Sequence, residues 1–189
     1  MEHPIRLVAT HDLERTRLTV AFRLILVIPH LIWLALWGIA ATVIAIINWF
    51  ATLFSGTSPA GLHNFLAQYL RYATHVQGYI LFLADPYPGF MGITDYDADL
   101  VIAPPAPQNR WITGFRFIMI IPATIVSNIV SNLVNILAVF AWFVCLFTGA
   151  LPGGMRSIIA WAVRFQAQTA GYGLLLTDRY PEFSTEGID

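Results

Sequence analysis

The chain is apolar almost throughout from Leu18 to Phe54, interrupted by Arg23, Pro29 and His30. As one straight helix this stretch would reach about 55 Å, well past a hydrocarbon core of about 30 Å. Pro29 is the natural place for a break. Ahead of it, Thr16, Thr19, Arg23 and His30 share a stripe, the pattern of a helix lying in a membrane interface. Beyond it, Leu31 to Phe54 is long enough to span. Ser55 to Pro59 reads as a tight turn, with Ser58 as N-cap and Pro59 as the first helical residue. A return helix follows from Pro59 to Ala84. Its Asn64, Gln68, Arg71, His75 and Gly78 recur at spacings of three and four on one face, with Leu62, Phe65, Leu66, Tyr69 and Ile80 opposite. Such a stripe must turn toward a bundle or a wet cavity. Asp85-Pro86-Tyr87-Pro88 ends the helix, with Tyr87 suited to the headgroup level.

The same plan then recurs. A shift of 93 positions places Phe22-Arg23 on Phe115-Arg116, Ile28-Pro29 on Ile121-Pro122, Trp49-Phe50 on Trp142-Phe143 and Phe54-Ser55-Gly56 on Phe147-Thr148-Gly149. Pro59 and Gly61 meet Pro152 and Gly154, Arg71 meets Arg164, and Gly78-Tyr79 meets Gly171-Tyr172. The sequence Asp85-x-Tyr87-Pro88-x-Phe90 meets Asp178-x-Tyr180-Pro181-x-Phe183. So many arginines, aspartates, prolines and glycines in register mark a duplication, with residues 1–94 as the first repeat and 95–189 as the second. The second repeat is expected to hold an interfacial helix near Arg110 to Ile121, a span from about Thr124 to Phe147 and a return helix from Pro152 to Thr177. Its span alone carries Thr124, Ser127, Asn128, Ser131, Asn132 and Asn135, the mark of a packed helix contact or of a pore or ligand lining. Short candidate strands, Pro4 to Ala9 and Ala98 to Ala103, precede the two units at matched places and are expected to pair. Ala103-Pro-Pro-Ala-Pro107 is the linker between units.

The order Phe-Arg, Ile-Pro-His, Trp-Phe, Leu-Phe-[Ser/Thr]-Gly, Pro-x-Gly, Arg, Gly-Tyr and Leu-x-Asp-x-Tyr-Pro-x-Phe resembles DUF4389, a family of bacterial integral membrane proteins of unknown function. Both halves resemble it, from about residue 3 to residue 183. The second half departs at Pro122-Ala123, where the first has Pro29-His30. The resemblance implies a membrane protein built of duplicated units, and it supplies no substrate, cofactor or catalytic residue.

Two spans per unit would return the chain to its starting side and make the repeats parallel, with four spans in all. Arg6, Arg15, Arg17, Arg23, Arg110, Arg116 and Arg179 would then gather on the side of the termini, which the positive-inside bias makes cytoplasmic. Composition sharpens this reading. The chain of 189 residues is 57% hydrophobic and only 11% charged, where a soluble domain carries about 25% charged residues. That balance excludes a disordered chain, a coiled coil and an ordinary soluble enzyme. The net charge of −1 gives no field for nucleic acid. The single Cys145 has no partner for a disulfide or a CxxC metal site.

Arg71 and Arg164 fall near the middle of the return helices, where an arginine costs about 2.5–3.5 kcal/mol on insertion scales. With Gln68, His75 and Gln168 they form a candidate intramembrane polar site: an anion, lipid-phosphate or proton-coupled site, or arginines that snorkel or satisfy carbonyls. Asp85 and Asp178 sit at the negative ends of the return helices, which disfavours a carboxylate, and Arg23 and Arg116 are their expected partners. Asp95, Asp97 and Asp99 read as a solvated linker. No nucleophile–base, zinc or phosphate-loop motif occurs. The expected molecule is an all-α membrane protein of tandem duplicated transmembrane hairpins, with interfacial amphipathic helices and a small cytoplasmic β element. It has no cofactor and no nucleic-acid partner, and its surroundings are membrane lipids. Its expected role is that of a structural or accessory subunit, working as a homo-oligomer or in a larger membrane complex. An oligomeric small transporter or channel is the alternative, and a lipid-modifying enzyme is disfavoured.

Overall fold

A computed structural model describes residues 3–9, 12–92 and 94–184. The elements in chain order are β1 (Ile5–Ala9), α1 (Arg17–Leu26), α2 (Ile28–Ser55), α3 (Ala60–Ile80), β2 (Ala98–Ile102), α4 (Arg110–Thr148) and α5 (Gly153–Gly173). Two helices, Ile28–Ser55 and Arg110–Thr148, are long and apolar enough to cross a membrane. Val27 stays in the right-handed helical region (φ −80°, ψ −18°), so α1 and α2 are separated by a kink rather than a turn. In the second unit the expected break does not occur, and α4 runs on through Pro122 for 39 residues. Both long helices stop where glycines, Gly56 (φ 79°) and Gly149 (φ 78°), take the left-handed conformation that ends a helix. Ser58 caps no helix; its hydroxyl donates to Asn48 Oδ1 at 2.7 Å.

The elements stack in three layers. The long helices α1–α2 and α4 form one, α3 and α5 the next, and the β1–β2 ribbon lies on the far side of α3 and α5. The strands pair antiparallel with Leu7 opposite Leu100. Those two residues are 93 apart, the repeat offset itself, so a pseudo-twofold axis passes through this pair and each unit maps onto the other about it. Ile5, Leu7, Ala9, Ala98 and Leu100 are buried against the return helices. Full burial of each large apolar side chain is worth about 1.5–3 kcal/mol. A two-stranded ribbon is marginal alone, and this packing is what supports it.

The axis makes the units antiparallel. The Gln108 N–H donates to Gly56 O at 2.8 Å, and the Arg15 N–H donates to Gly149 O at 2.7 Å. The Trp49 indole donates to Thr113 O at 2.8 Å, and Trp142 donates to Val20 O at 3.0 Å. Each bond maps onto its mate by the shift of 93, so each unit's leading segment closes the other unit's turn. Arg15 also donates to Phe82 O and Leu83 O, just beyond α3. The turn at Gly149 therefore lies by the C-terminal end of α3, and the turn at Gly56 by its N-terminal end, about 30 Å away at 1.5 Å per residue. This corrects the expected parallel repeats with both turns on one side. The sequence pattern counted two spans per unit but not the return of the linker. Residues 85–92 form a strap that reaches back to Gln68 Nε2 on Met91 O (2.9 Å) and Trp33 Nε1 on Phe90 O (3.0 Å). By Tyr96, which donates to Pro86 O at 2.7 Å, the chain is again at the C-terminal end of α3, and residues 94–108 then run back along the whole helix through β2.

The return helices are corrected too. α3 and α5 are the interior of the molecule, covered by long helices on one side and by the ribbon on the other, with the strap along the flank where α2 meets α3. α3 ends at Ile80, ahead of the expected Asp85. Most of the exposed large apolar side chains lie instead on α1, α2 and α4, among them Leu24, Leu36, Ile39, Phe54, Ile118, Leu133 and Phe147.

Glycines set how closely the ribbon sits. A Cβ on Gly78 would meet the Ala98 Cβ at 2.8 Å, and one on Gly171, the equivalent residue, would meet Ile5 Cδ1. Gly78→Ala should destabilise the protein by about 1–3 kcal/mol, because the Ala98 Cβ is fixed to the strand. Gly171→Ala should cost less, because the end of Ile5 can rotate away. Thermal unfolding of the detergent-solubilised protein checks this, and Ala98→Gly should recover part of the loss from Gly78→Ala.

Candidate functional site

The charged groups singled out in the sequence gather in two places: at the ends of the return helices and beneath the ribbon. At the first, Arg23 reaches from α1 to the residues that close α3. Its Nη1 donates to Tyr79 O (2.6 Å) and Ala84 O (3.1 Å), and its Nη2 donates to Asp85 Oδ1 at 2.7 Å. The guanidinium lies 4.3 Å over the Tyr79 ring and 4.7 Å over Phe82, geometry suited to cation–π attraction. Its side chain is 2% exposed and that of Asp85 is 22% exposed. Asp85 also accepts from the Thr16 hydroxyl at 2.9 Å.

Arg116 repeats the carbonyl bonds of Arg23, donating to Tyr172 O (2.7 Å) and Thr177 O (2.8 Å). The expected ion pair with Asp178 does not form among the described residues. Gln108 accepts from Arg116 Nη2 at 2.9 Å and donates to Leu175 O at 2.8 Å, and Asp178 faces solvent. The reason lies at the position shared by Arg15 and Gln108. In unit one Arg15 can only donate, so Arg23 needs a separate acceptor, Asp85. The Gln108 amide donates and accepts at once, which leaves Asp178 nothing to do there.

Beneath the ribbon, Arg71 donates from Nε (3.1 Å) and Nη2 (3.0 Å) to Leu100 O, and its Nε lies 3.2 Å from Asp99 Oδ1. His75 Nε2 is 2.8 Å from the same oxygen, with the Tyr96 ring 4.6 Å away. Asp99 is therefore the centre of this cluster and not a solvated linker residue. Burial acts to raise its pKa. Hydrogen bonds from His75 and the Leu100 N–H, with the charges of His75 and Arg71, outweigh that and hold it below the usual carboxylate value. The pairing is thus present above the ordinary carboxylate range and lapses as pH falls through the lowered pKa.

Gln168 is fully buried. It donates to Ile5 O at 3.1 Å and accepts from the Glu182 N–H at 3.0 Å. Arg164 is 1% exposed, with Nη2 directed at Glu182 O, and Arg156 donates to Ala9 O at 2.7 Å. The polar stripes of α3 and α5 thus serve the free edges of the ribbon: Arg71, Gln168 and Arg156 satisfy strand carbonyls that no third strand reaches. Neither Arg71 nor Arg164 points toward the apolar face. His30, on the opposite side of α3, is buried with Nδ1 2.7 Å from the Tyr72 hydroxyl and its ring stacked 4.4 Å from Phe90. Among the described residues no three His, Cys, Asp or Glu side chains gather to hold a metal ion. The sequence reading missed Asp99, Arg15, Gln108 and Arg156. The shift of 93 that sets Gln108 on Arg15 was the available signal for one pair of them.

Comparison with known families agrees with this duplicated construction, for the domain of unknown function DUF4389 matches twice, over residues 17–92 and 110–185. The chain belongs to the DUF4389 family. Neither a curated protein nor a solved structure matches it. The second DUF4389 copy begins at Arg110, where α4 starts, and the first at Arg17, where α1 starts. Each copy thus takes in one long helical arm, one interior helix and the strap after it, and the paired strands lie outside both copies.

Burial sets the cost of losing the carboxylate. Asp85→Ala leaves a buried guanidinium without its counter-charge and should cost about 3 kcal/mol, the low end for a broken buried pair, since two carbonyls still accept from Arg23. Asp178→Ala should stay within about 0.5 kcal/mol, as for a surface substitution. Denaturant unfolding of the two variants side by side checks the difference.

Proposed function

We propose that the protein is a membrane-embedded structural or accessory subunit without catalytic activity, lying along one leaflet rather than crossing it, and working by self-assembly or by holding a partner in a membrane complex. The observation that carries this reading is the linker. Residues 85–92 form a strap on α3 and residues 94–108 travel its length through β2, with Asp95, Asp97 and Asp99 along the way. Were the helix axes to stand across the bilayer, this polar, non-helical backbone would cross the hydrocarbon with it, and open sheet edges and irregular loops do not occur against lipid. With the axes in the membrane plane, α1, α2 and α4 sink their apolar surface into the leaflet, as amphipathic in-plane elements do, and ribbon, strap and linker face water. The large apolar surface supports the lipid-facing role, since an exposed patch of this kind marks a membrane or protein contact. In this reading the four-span arrangement with cytoplasmic termini gives way to a one-sided protein, and the transporter alternative has no pathway.

Single cysteines at Thr57, Ala150 and Asp97, each in a Cys145→Ser background, test this in sealed vesicles. An impermeant maleimide should reach all three from the same side. Labelling of Thr57→Cys and Ala150→Cys from opposite sides would show that the long helices cross, because the two turns lie at opposite ends of α3.

A further inference from the structure

One feature of the fold breaks its own symmetry. The row Thr124, Asn128, Ser131, Asn132 and Asn135 on α4 corresponds, 93 positions earlier, to Leu31, Ala35, Gly38, Ile39 and Thr42 on α2. The two helices occupy equivalent places about the pseudo-twofold axis, so a need of the fold alone would appear in both. The row occupies a stripe about 100° wide. Asn128, Asn132 and Asn135 are exposed, and no hydrogen bond joins their amides to the described residues.

This stripe borders two openings. At its C-terminal end a cavity of about 390 Å³ lies between α4, α1 and the end of α3, lined by Leu24, Ile80, Phe82, Asn135, Val139 and Trp142. Its walls are almost wholly apolar, and its volume falls in the ~300–1,000 Å³ range of small-molecule sites. Arg23 also lines it; its other nitrogens are engaged, and its Nε is buried with no hydrogen-bond partner among the described residues. At the N-terminal end, Thr124 and Ser127 border a cleft of about 360 Å³ whose floor is Thr74, Gln77 and Gln166. Gln77 donates to Gln166 Oε1 there, while Gln166 Nε2 is buried without a partner among the described residues. The helix face between the openings carries the asparagines.

The lining specifies its ligand. An apolar cavity takes a hydrocarbon chain. A row of amides and hydroxyls takes neutral acceptors and donors, and amides bathed in lipid gain most from groups that satisfy them. The one charge at the cavity is already met by Asp85 and two carbonyls. We propose that this cleft binds one glycerolipid, its acyl chain in the cavity beside Val139 and Trp142 and its ester carbonyls on the Asn135–Asn128 row. For its supply of lipid the proposal rests on the membrane-embedded reading above. It gives the second unit a task that the first lacks, and it names what the embedded subunit holds.

The test uses the full chain in detergent micelles containing a small fraction of phosphatidylcholine with a diazirine on its acyl chain. Labelled peptides are mapped by mass spectrometry after illumination. Labels should concentrate on Leu24, Val139 and Phe143 over Ile39 and Val43, which are exposed on α2 away from the cavity. Val139→Trp fills the cavity and should abolish the concentrated labels while leaving those on α2. Asn135→Leu should reduce them about fivefold, the equivalent of one net hydrogen bond. Equal labelling of Ile39, Val43 and Val139, insensitive to Val139→Trp, would overturn the site. Sensitivity to Val139→Trp without any effect of Asn135→Leu or Asn132→Leu would overturn the ester assignment. Flotation with phosphatidylcholine vesicles separates this from the earlier reading. A chain that labels in micelles as described but does not float keeps the site and loses the embedding.

Discussion

Everything in this molecule is placed by the pairing of β1 with β2. Because Leu7 faces Leu100, residues one repeat apart, the ribbon sits on the axis that relates the two units and forces them to run in opposite directions. That in turn sends the linker back along α3, places the two glycine turns at opposite ends and lets each unit's leading segment close the other's turn. The buried undersides of the strands supply the energy. The polar stripes of α3 and α5 supply partners for strand edges that would otherwise be open. Helices that look amphipathic for a pore or a bundle are amphipathic here because they carry a sheet.

The same symmetry makes the departures from it informative. Both units bury an arginine on the carbonyls that end a return helix, and the spacing Arg23, Tyr79, Ala84 recurs as Arg116, Tyr172, Thr177. The third partner differs, a carboxylate in one unit and an amide in the other, because the neighbouring position changed from arginine to glutamine. This exchange keeps the site satisfied and is structural. The amide row on α4 satisfies nothing inside the fold, and it is there that the proposed lipid esters rest.

Much of the fold was legible in the sequence. The shift of 93, the helices, the two strands and the association of Arg23 with the end of the first return helix all follow from periodicity and matched residues. The direction of the second unit did not, because hydrophobic pattern counts helices and is blind to a linker that doubles back. Asp99 was misread for a related reason. Alone in the sequence it is one of three acidic residues near a proline-rich stretch, and only the strand register sets it against Arg71 and His75. Asp178 erred in the opposite sense, since repetition predicted a pair that Gln108 replaces.

The central claim is that an antiparallel duplication with a ribbon on its axis holds its long helices along the bilayer. Polarised infrared spectroscopy of the protein in oriented bilayers measures this most directly, through the amide I dichroism of the helices. The account predicts helix axes close to the membrane plane. A dichroism that sets them near the membrane normal would contradict it.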